Sequence, residues 1–188
     1  VEDCPNLGAN GFGGSLLLNT VVRDVRITDL PALQTIPLAN LASVGRTLAV
    51  TRTAVVTLDG LQGLAGTVPI LRIQDNDQLT DLTGLANLTA RGPALEQVSA
   101  LVINENDILA SLDGLEGFIV PGSMNIQANA ALATCEAEAV CAKIAAVDNL
   151  VFIMNNASGC SSVLEVETAC NVLPVTWRTF DAVVRPEW

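Results

Sequence analysis

The chain's 188 residues suffice for one domain, or two very small ones, with a real apolar core; half are hydrophobic, yet only four Phe and two Trp are aromatic. Twenty acids against nine bases, with no basic run, exclude a nucleic-acid backbone as partner, and the apolar half excludes a disordered acidic chain. With no histidine there is no Ser-His or Cys-His catalytic pair, and the commonest transition-metal ligand is missing.

The chain begins at Val1 without an initiator methionine or signal peptide, so it is expected to be a processed mature protein or an expressed fragment. Residues 1–24 read as an N-terminal segment. Its Gly8, Gly11, Gly13 and Gly14 are not followed by Gly-Lys-(Ser/Thr), so an irregular turn is expected there and not a phosphate loop. Short alternating strands then recur: Val25-Arg26-Ile27, Leu48-Ala49-Val50, Leu71-Arg72-Ile73, Leu101-Val102-Ile103, Met124-Asn125-Ile126 and Val151-Phe152-Ile153. Their starts lie 23, 23, 30, 23 and 27 residues apart.

After each strand the apolar residues keep a register. From Ile73 they fall at Leu79, Leu82, Leu85 and Leu88, and from Ile103 at Leu109, Leu112, Leu115 and Phe118. From Ile126 the same count gives Leu132 and then Cys135, and from Ile27 it gives Leu33 and Ile36. Leu58-Asp59-Gly60-Leu61 matches Leu82-Thr83-Gly84-Leu85 and Leu112-Asp113-Gly114-Leu115. Self-similarity at this period predicts a solenoid of about six coils. A strand with two inward apolar residues is too short to stand alone and must pair with its neighbours. Asn76, Asn106, Asn129 and Asn156 each stand three residues after a strand isoleucine. An asparagine there is expected to take the left-handed turn and to bond backbone groups of adjacent coils.

These strand–Asn–Leu–x-x-Leu-(Asp/Thr)-Gly-Leu coils resemble the receptor L domain, a leucine-rich-repeat-like module. The segment Thr134-Cys135-Glu136 to Val140-Cys141, then Asn155-Asn156-Ala157-Ser158-Gly159-Cys160 and Glu165-Val166 to Cys170, is similar to the end of L-domain-like modules in secreted bacterial and algal proteins. The likeness runs from about Val25 to Cys170; the coil from Arg91 is long, and Leu173 to Trp188 follow no pattern of the family. It implies a mainly β fold, a right-handed single-stranded β-helix over 25–171, with two short helices in a disulfide-stapled cap over 134–171 and a tail over 172–188. It also implies a non-catalytic recognition or scaffold module, without naming a ligand.

Four of the five cysteines cluster at 135, 141, 160 and 170, which suits an oxidising compartment; their spacings are not the C-x2-C of a zinc site. Ser162-Val163-Leu164-Glu165 reads as a capping box opening a helix from about Val163 to Cys170, and Val140, Ile144 and Val147 form a helical stripe on the preceding segment. Residues six or ten apart within one helix stand roughly 9 and 15 Å apart, beyond disulfide reach. Stacking the last two coils favours Cys135–Cys160 and Cys141–Cys170 instead, although four cysteines allow three pairings. Cys4 is left over.

No cofactor motif appears and none is expected. Asp75, Asp77, Glu105 and Asp107 lie on matching turns, so a calcium site is a candidate, against the simpler reading of a solvated acidic edge. Asn87-Leu88-Thr89 and Asn156-Ala157-Ser158 are sequons; Asn87 is the glycosylation candidate, with Asn156 committed to its turn. Few aromatics and no Tyr count against a sugar platform. The leading reading is an extracellular recognition or adhesion module, secreted or at a cell surface, that binds a protein partner. The second is a structural subunit of a larger assembly in an oxidising lumen, such as periplasm, endoplasmic reticulum or thylakoid lumen. No apolar run is long enough to span a membrane, so the chain is expected to be soluble.

Alternation places Arg26, Thr28, Ala49, Thr51, Arg72, Gln74, Val102, Asn104, Asn125 and Gln127 on the outer sheet face, the candidate partner surface. Arg26 and Arg72 are its expected hot spots. At the last strand the outward residues turn apolar, Leu150, Phe152 and Met154, and three of the six aromatics, Trp177, Phe180 and Trp188, fall in the final twelve residues. Tail and patch are expected to meet, either with each other or together against another subunit.

Overall fold

The computed structural model describes residues 19–66, 68–88, 100–118, 120, 122–146 and 150–170. Cys4, the glycines at 8–14, Val147 and the tail 171–188 lie outside the described residues. Among the described residues, eight strands and two α-helices follow in order: β1 (Thr20–Val21), β2 (Asp24–Leu30), β3 (Ser43–Val44), β4 (Thr47–Thr53), β5 (Ile70–Gln74), β6 (Ala100–Asn104), β7 (Ser123–Gln127), α1 (Glu138–Ala145), β8 (Val151–Met154) and α2 (Val163–Ala169). The fold is mainly sheet with two short helices. Strands β2-β4-β5-β6-β7-β8 form one six-stranded parallel sheet, so the strands lie side by side in sequence order; β1 and β3 form a separate parallel pair.

All six predicted strand segments are strands of this sheet, and their apolar residues align in rows. One row runs Val25, Leu48, Leu71, Leu101, Met124, Val151, and the next Ile27, Val50, Ile73, Ile103, Ile126, Ile153. A one-residue slip of any strand would turn both rows outward, which is why the register holds. Behind the sheet the leucine positions fill the core: Leu79, Leu82, Leu85, Leu109, Leu112, Leu115 and Leu132 are wholly buried. Each contributes about 1.5–3 kcal/mol relative to an exposed side chain.

The Leu-x-Gly-Leu step makes a tight turn, with Leu61 N–H donating to Leu58 O, Leu85 N–H to Leu82 O and Leu115 N–H to Leu112 O. Its glycine answers a second demand. A Cβ on Gly84 would lie 2.1 Å from Leu58 O, and one on Gly114 2.2 Å from Leu82 O. Each glycine thus lets its turn press against the same turn of the preceding repeat. Away from the sheet, backbone bonds also join neighbouring repeats, among them Val56 N–H to Gln34 O, Thr80 N–H to Val56 O and Ala133 N–H to Ala110 O.

The asparagine column forms a buried ladder. The Oδ1 of Asn76 accepts from Thr53 N–H and Oγ1, that of Asn106 from Asn76 N–H, that of Asn129 from Asn106 N–H, and that of Asn156 from Asn129 N–H, at 2.7–3.2 Å. Each Nδ2 donates back to the strand carbonyl of the preceding repeat: Asn76 to Val50 O, Asn106 to Ile73 O, Asn129 to Ile103 O and Asn156 to Ile126 O. The bonding role is as expected, but the left-handed turn belongs one residue earlier. Asp29, Arg52, Asp75, Glu105, Ala128 and Asn155 all have φ between 53° and 58°. That residue turns the chain so that the next side chain points into the core.

The cap follows the sequence reading closely. Cys135 pairs with Cys160 and Cys141 with Cys170, each with Cα atoms 5.5 Å apart. Ser162 caps α2, its side chain accepting from Glu165 N–H at 3.3 Å. Glu165 does not return the bond to Ser162 as a capping box would. Its carboxylate instead accepts from Ser161 N–H and Gly159 N–H, and these bonds lower its pKa. Val140 and Ile144 are buried as the helical stripe requires, and so is Lys143 between them.

Two pairs of variants test the ladder and the turn. Asn106→Ala leaves several buried groups of adjacent repeats unpaired and should cost about 3 kcal/mol or more, against about 1 kcal/mol for the part-exposed Asn156→Ala. Equal losses in urea denaturation would contradict the ladder's role. Ala128→Gly relieves a left-handed alanine and should raise stability by about 0.5–1 kcal/mol, while Ala128→Val should lower it.

Candidate functional site

The strands put two outward rows on one face of the sheet. The first is Arg26, Ala49, Arg72, Val102, Asn125, Phe152; the second is Thr28, Thr51, Gln74, Asn104, Gln127, Met154. Exposure along them is uneven. Arg26, Arg72, Phe152 and Met154 are exposed, whereas Thr28, Gln74, Val102, Asn104, Asn125 and Gln127 are half-buried. Thr51 and Ala49 are buried, which corrects their assignment to an accessible face. The reason is local: strands lie about 4.8 Å apart, so Ala49 sits in a trough between two arginines and Thr51 in one between Thr28 and Gln74.

Neighbouring groups hold much of the face in place. Arg26 Nη2 lies 3.6 Å from Asp24 Oδ2, and Arg72 Nη1 donates to Gln74 Oε1 at 3.3 Å. Gln74 Nε2 donates to Glu105 Oε2, and Asn104 Oδ1 accepts from Gln127 N–H, both at 3.1 Å. Arg26 and Arg72 stand two strands apart, about 10 Å, on either side of the Ala49 trough. Beside Phe152 in register, Asn125 Oδ1 is the one buried side-chain polar atom without a hydrogen-bond partner among the described residues.

The far end of the face is apolar. Leu150, Phe152 and Met154 are 47%, 47% and 42% exposed, confirming the outward placement read from the alternation. The tail residues expected to meet them, Trp177, Phe180 and Trp188, lie outside the described residues.

Charge is also divided along the sheet. Among the described residues, 19–72 contain Arg23, Arg26, Arg46, Arg52 and Arg72 against three acids, whereas 73–170 contain eleven acids against Lys143. Because strand order is sequence order, the β2 end is basic and the β8 end acidic. Sequence reasoning recorded the net charge and missed this division, although the residue numbers alone carry it. At the basic end Arg46 makes a two-pronged pair with Asp24, at 2.8 and 2.6 Å, and Arg52 pairs likewise with Asp29. These guanidinium bonds hold both carboxyls below the ordinary range.

Among the described residues no group of three or more His, Cys, Asp or Glu, Asp75, Asp77, Glu105 and Asp107 included, is arranged to hold a metal ion. Glu105 is engaged by Gln74, and Asp75 and Glu105 are the turn residues themselves. Asn87 is exposed, with its Nδ2 donating to Gln62 O at 2.8 Å, while Asn156 is tied into the ladder; Thr89 of the first sequon lies outside the described residues.

The chain matches no protein-family model, no curated protein and no solved structure. Its two disulfides indicate an oxidising compartment, and no helix among the described residues is long and apolar enough to cross a membrane.

Partial burial, with the carboxylates of Asp107 and Asp75, raises the pKa of Asp77. A charged Asp77 therefore weakens the folded state above its folded pKa. Asp77→Asn should raise the melting temperature at pH 7 by an amount well under about 1 kcal/mol in stability. That gain should fade as pH falls through the folded pKa and vanish below the unfolded carboxylate value of about 3.9, where the wild-type group is protonated in both states. A gain that persists at pH 3 would refute the charge explanation.

Proposed function

We propose that this chain is a non-catalytic recognition module, secreted or held at a cell surface, which binds a protein partner through the outer face of its sheet. In this reading the repeats wind as a right-handed β-helix of the receptor L domain kind. The parallel in-register sheet and the matching backbone bonds on its return side support that winding, and the cap disulfides support the oxidising setting.

One observation carries the binding proposal. Arg26 and Arg72 project from the same row across a buried alanine, at a sheet end where bases outnumber acids in an otherwise acidic molecule. Guanidinium groups suit bidentate recognition of carboxylates, and the ion pair of Arg26 with Asp24 and the hydrogen bond of Arg72 to Gln74 limit the freedom lost on binding. The partner surface that fits is therefore acidic. The exposed apolar end at β8 favours the second reading, a structural subunit of a larger assembly, since such patches mark contacts.

Immobilised wild-type chain, the Arg26→Ala, Arg72→Ala double variant and the control Asp113→Ala are challenged with the secreted and surface proteins of the source. A partner held by wild type and control should bind the double variant about tenfold or more weakly, and less well as salt rises. Unchanged retention by the double variant overturns the assignment. Recovery of the native chain only within a stable multi-subunit particle, by size-exclusion chromatography, would establish the structural reading instead.

A further inference from the structure

The two disulfides of the cap differ in their surroundings. Cys135 and Cys160 are wholly buried, whereas Cys141 and Cys170 are half-buried. We infer that the Cys141–Cys170 bridge is a thiol-exchange site, open to a dithiol while the chain stays folded, and that its cleavage releases helix α2 from the β8 end of the sheet.

Burial sets the order of reaction. Exchange needs a thiolate to reach one sulfur of the bond, so a bridge enclosed at both sulfurs reacts only when the fold around it opens. Cys135 lies in the core beside the leucine column, and the carbonyl of Cys160 accepts from Asn156 Nδ2 of the ladder. Reaching that bridge requires separating the last repeats. Cys170 instead stands at the end of α2 next to exposed Thr168 and Ala169, and Cys141 is followed in α1 by exposed Ala142. Both are reached without such an opening.

In the reaction, one thiolate of the dithiol bonds to Cys170 Sγ as the disulfide bond breaks. The electron pair leaves on Cys141 Sγ, which takes up a proton. The second thiol of the reagent then displaces Cys170 from the mixed disulfide. The reagent ends oxidised to a disulfide and the chain reduced to two thiols.

The helix held by this bridge has little else to keep it in place. It has seven residues, fewer than an isolated helix needs, with Val166 as its one buried side chain and Leu164 63% exposed. Its first turn has ties of its own, the Ser162 cap and the Glu165 carboxylate on Gly159 and Ser161 N–H. Its far end is tied to α1 by the bridge. Helix α2 packs against both β8 and α1, and Met154 bridges to Ser162 just ahead of it. Release therefore uncovers the part of β8 that α2 packs against and enlarges the apolar end formed by Leu150, Phe152 and Met154. The redox state of one bridge thus sets the extent of that surface, apart from any binding at the outer face.

The test treats the folded full-length chain with dithiothreitol in the absence of denaturant, quenches with iodoacetamide and maps each cysteine by mass spectrometry. Cys141 and Cys170 should be alkylated at least about tenfold faster than Cys135 and Cys160. In the partly reduced chain, amide hydrogen exchange should quicken over residues 163–170 while the amides of Asn106 and Asn129 stay protected. Binding of anilinonaphthalene sulfonate should rise with it. Cys141→Ser with Cys170→Ser should show both changes without reductant. Alkylation of all four cysteines at one rate, or of Cys135 and Cys160 first, overturns the exchange site. Cleavage of Cys141–Cys170 that leaves exchange over 163–170 and dye binding unchanged overturns the release of α2. Reduction starts from folded wild-type chain, so these outcomes hold even where the double variant fails to fold.

Discussion

The side-chain amides of Asn76, Asn106 and Asn129 are wholly buried, and a buried amide without partners costs more than most single contacts return. Each finds its partners only if the repeats before and after stand in the same register, because its Oδ1 accepts from and its Nδ2 donates to the backbone of the preceding repeat, while the same Nδ2 also donates to the Oδ1 of the next asparagine. The leucine core alone would accept several arrangements of similar volume. The ladder does not. It turns an apolar interior that merely favours compaction into one that specifies how each strand meets the next.

The ladder has two different ends. At β4 it begins with the hydroxyl and N–H of Thr53, which donate and need no amide beyond them. At the other end Asn156 gives its Nδ2 to Ile126 O and Cys160 O. Cys160 is in turn bonded to Cys135, which stands in a column otherwise held by leucines. The polar spine therefore ends, among the described residues, in a covalent link that fixes its last member. Helix α2, seated by Ser162 and by the carboxylate of Glu165, adds packing against β8 at the same place.

Much of this was legible in the sequence because the repeat is written in residue types that periodicity reveals. Inward pairs such as Leu71 and Ile73, the columns of Leu82 and Leu112, Asn106, and the cysteines that replace column members are all countable. What escaped depends on neighbours distant in sequence. Ala49 and Thr51 alternate outward correctly, yet they are buried because longer side chains flank them on adjacent strands. The left-handed residue was displaced by one, since Asp29, Arg52, Glu105 and Ala128 share no chemistry that marks the conformation. Gly84 and Gly114 read as turn formers, whereas the pressure on them comes from a backbone a full repeat away. Strands β1 and β3, of two residues each, are too short to leave a periodic trace.

Strand order that follows chain order has an electrical consequence. The excess of bases over residues 19–72 and of acids over residues 73–170 becomes opposite charge at the two ends of a sheet about 24 Å across. At physiological ionic strength fields decay over about 8 Å, so each end acts on its surroundings without sensing the other. In dilute salt, where that length approaches 30 Å, the same molecule behaves as a single dipole and would orient as a whole in the field of any charged surface it met.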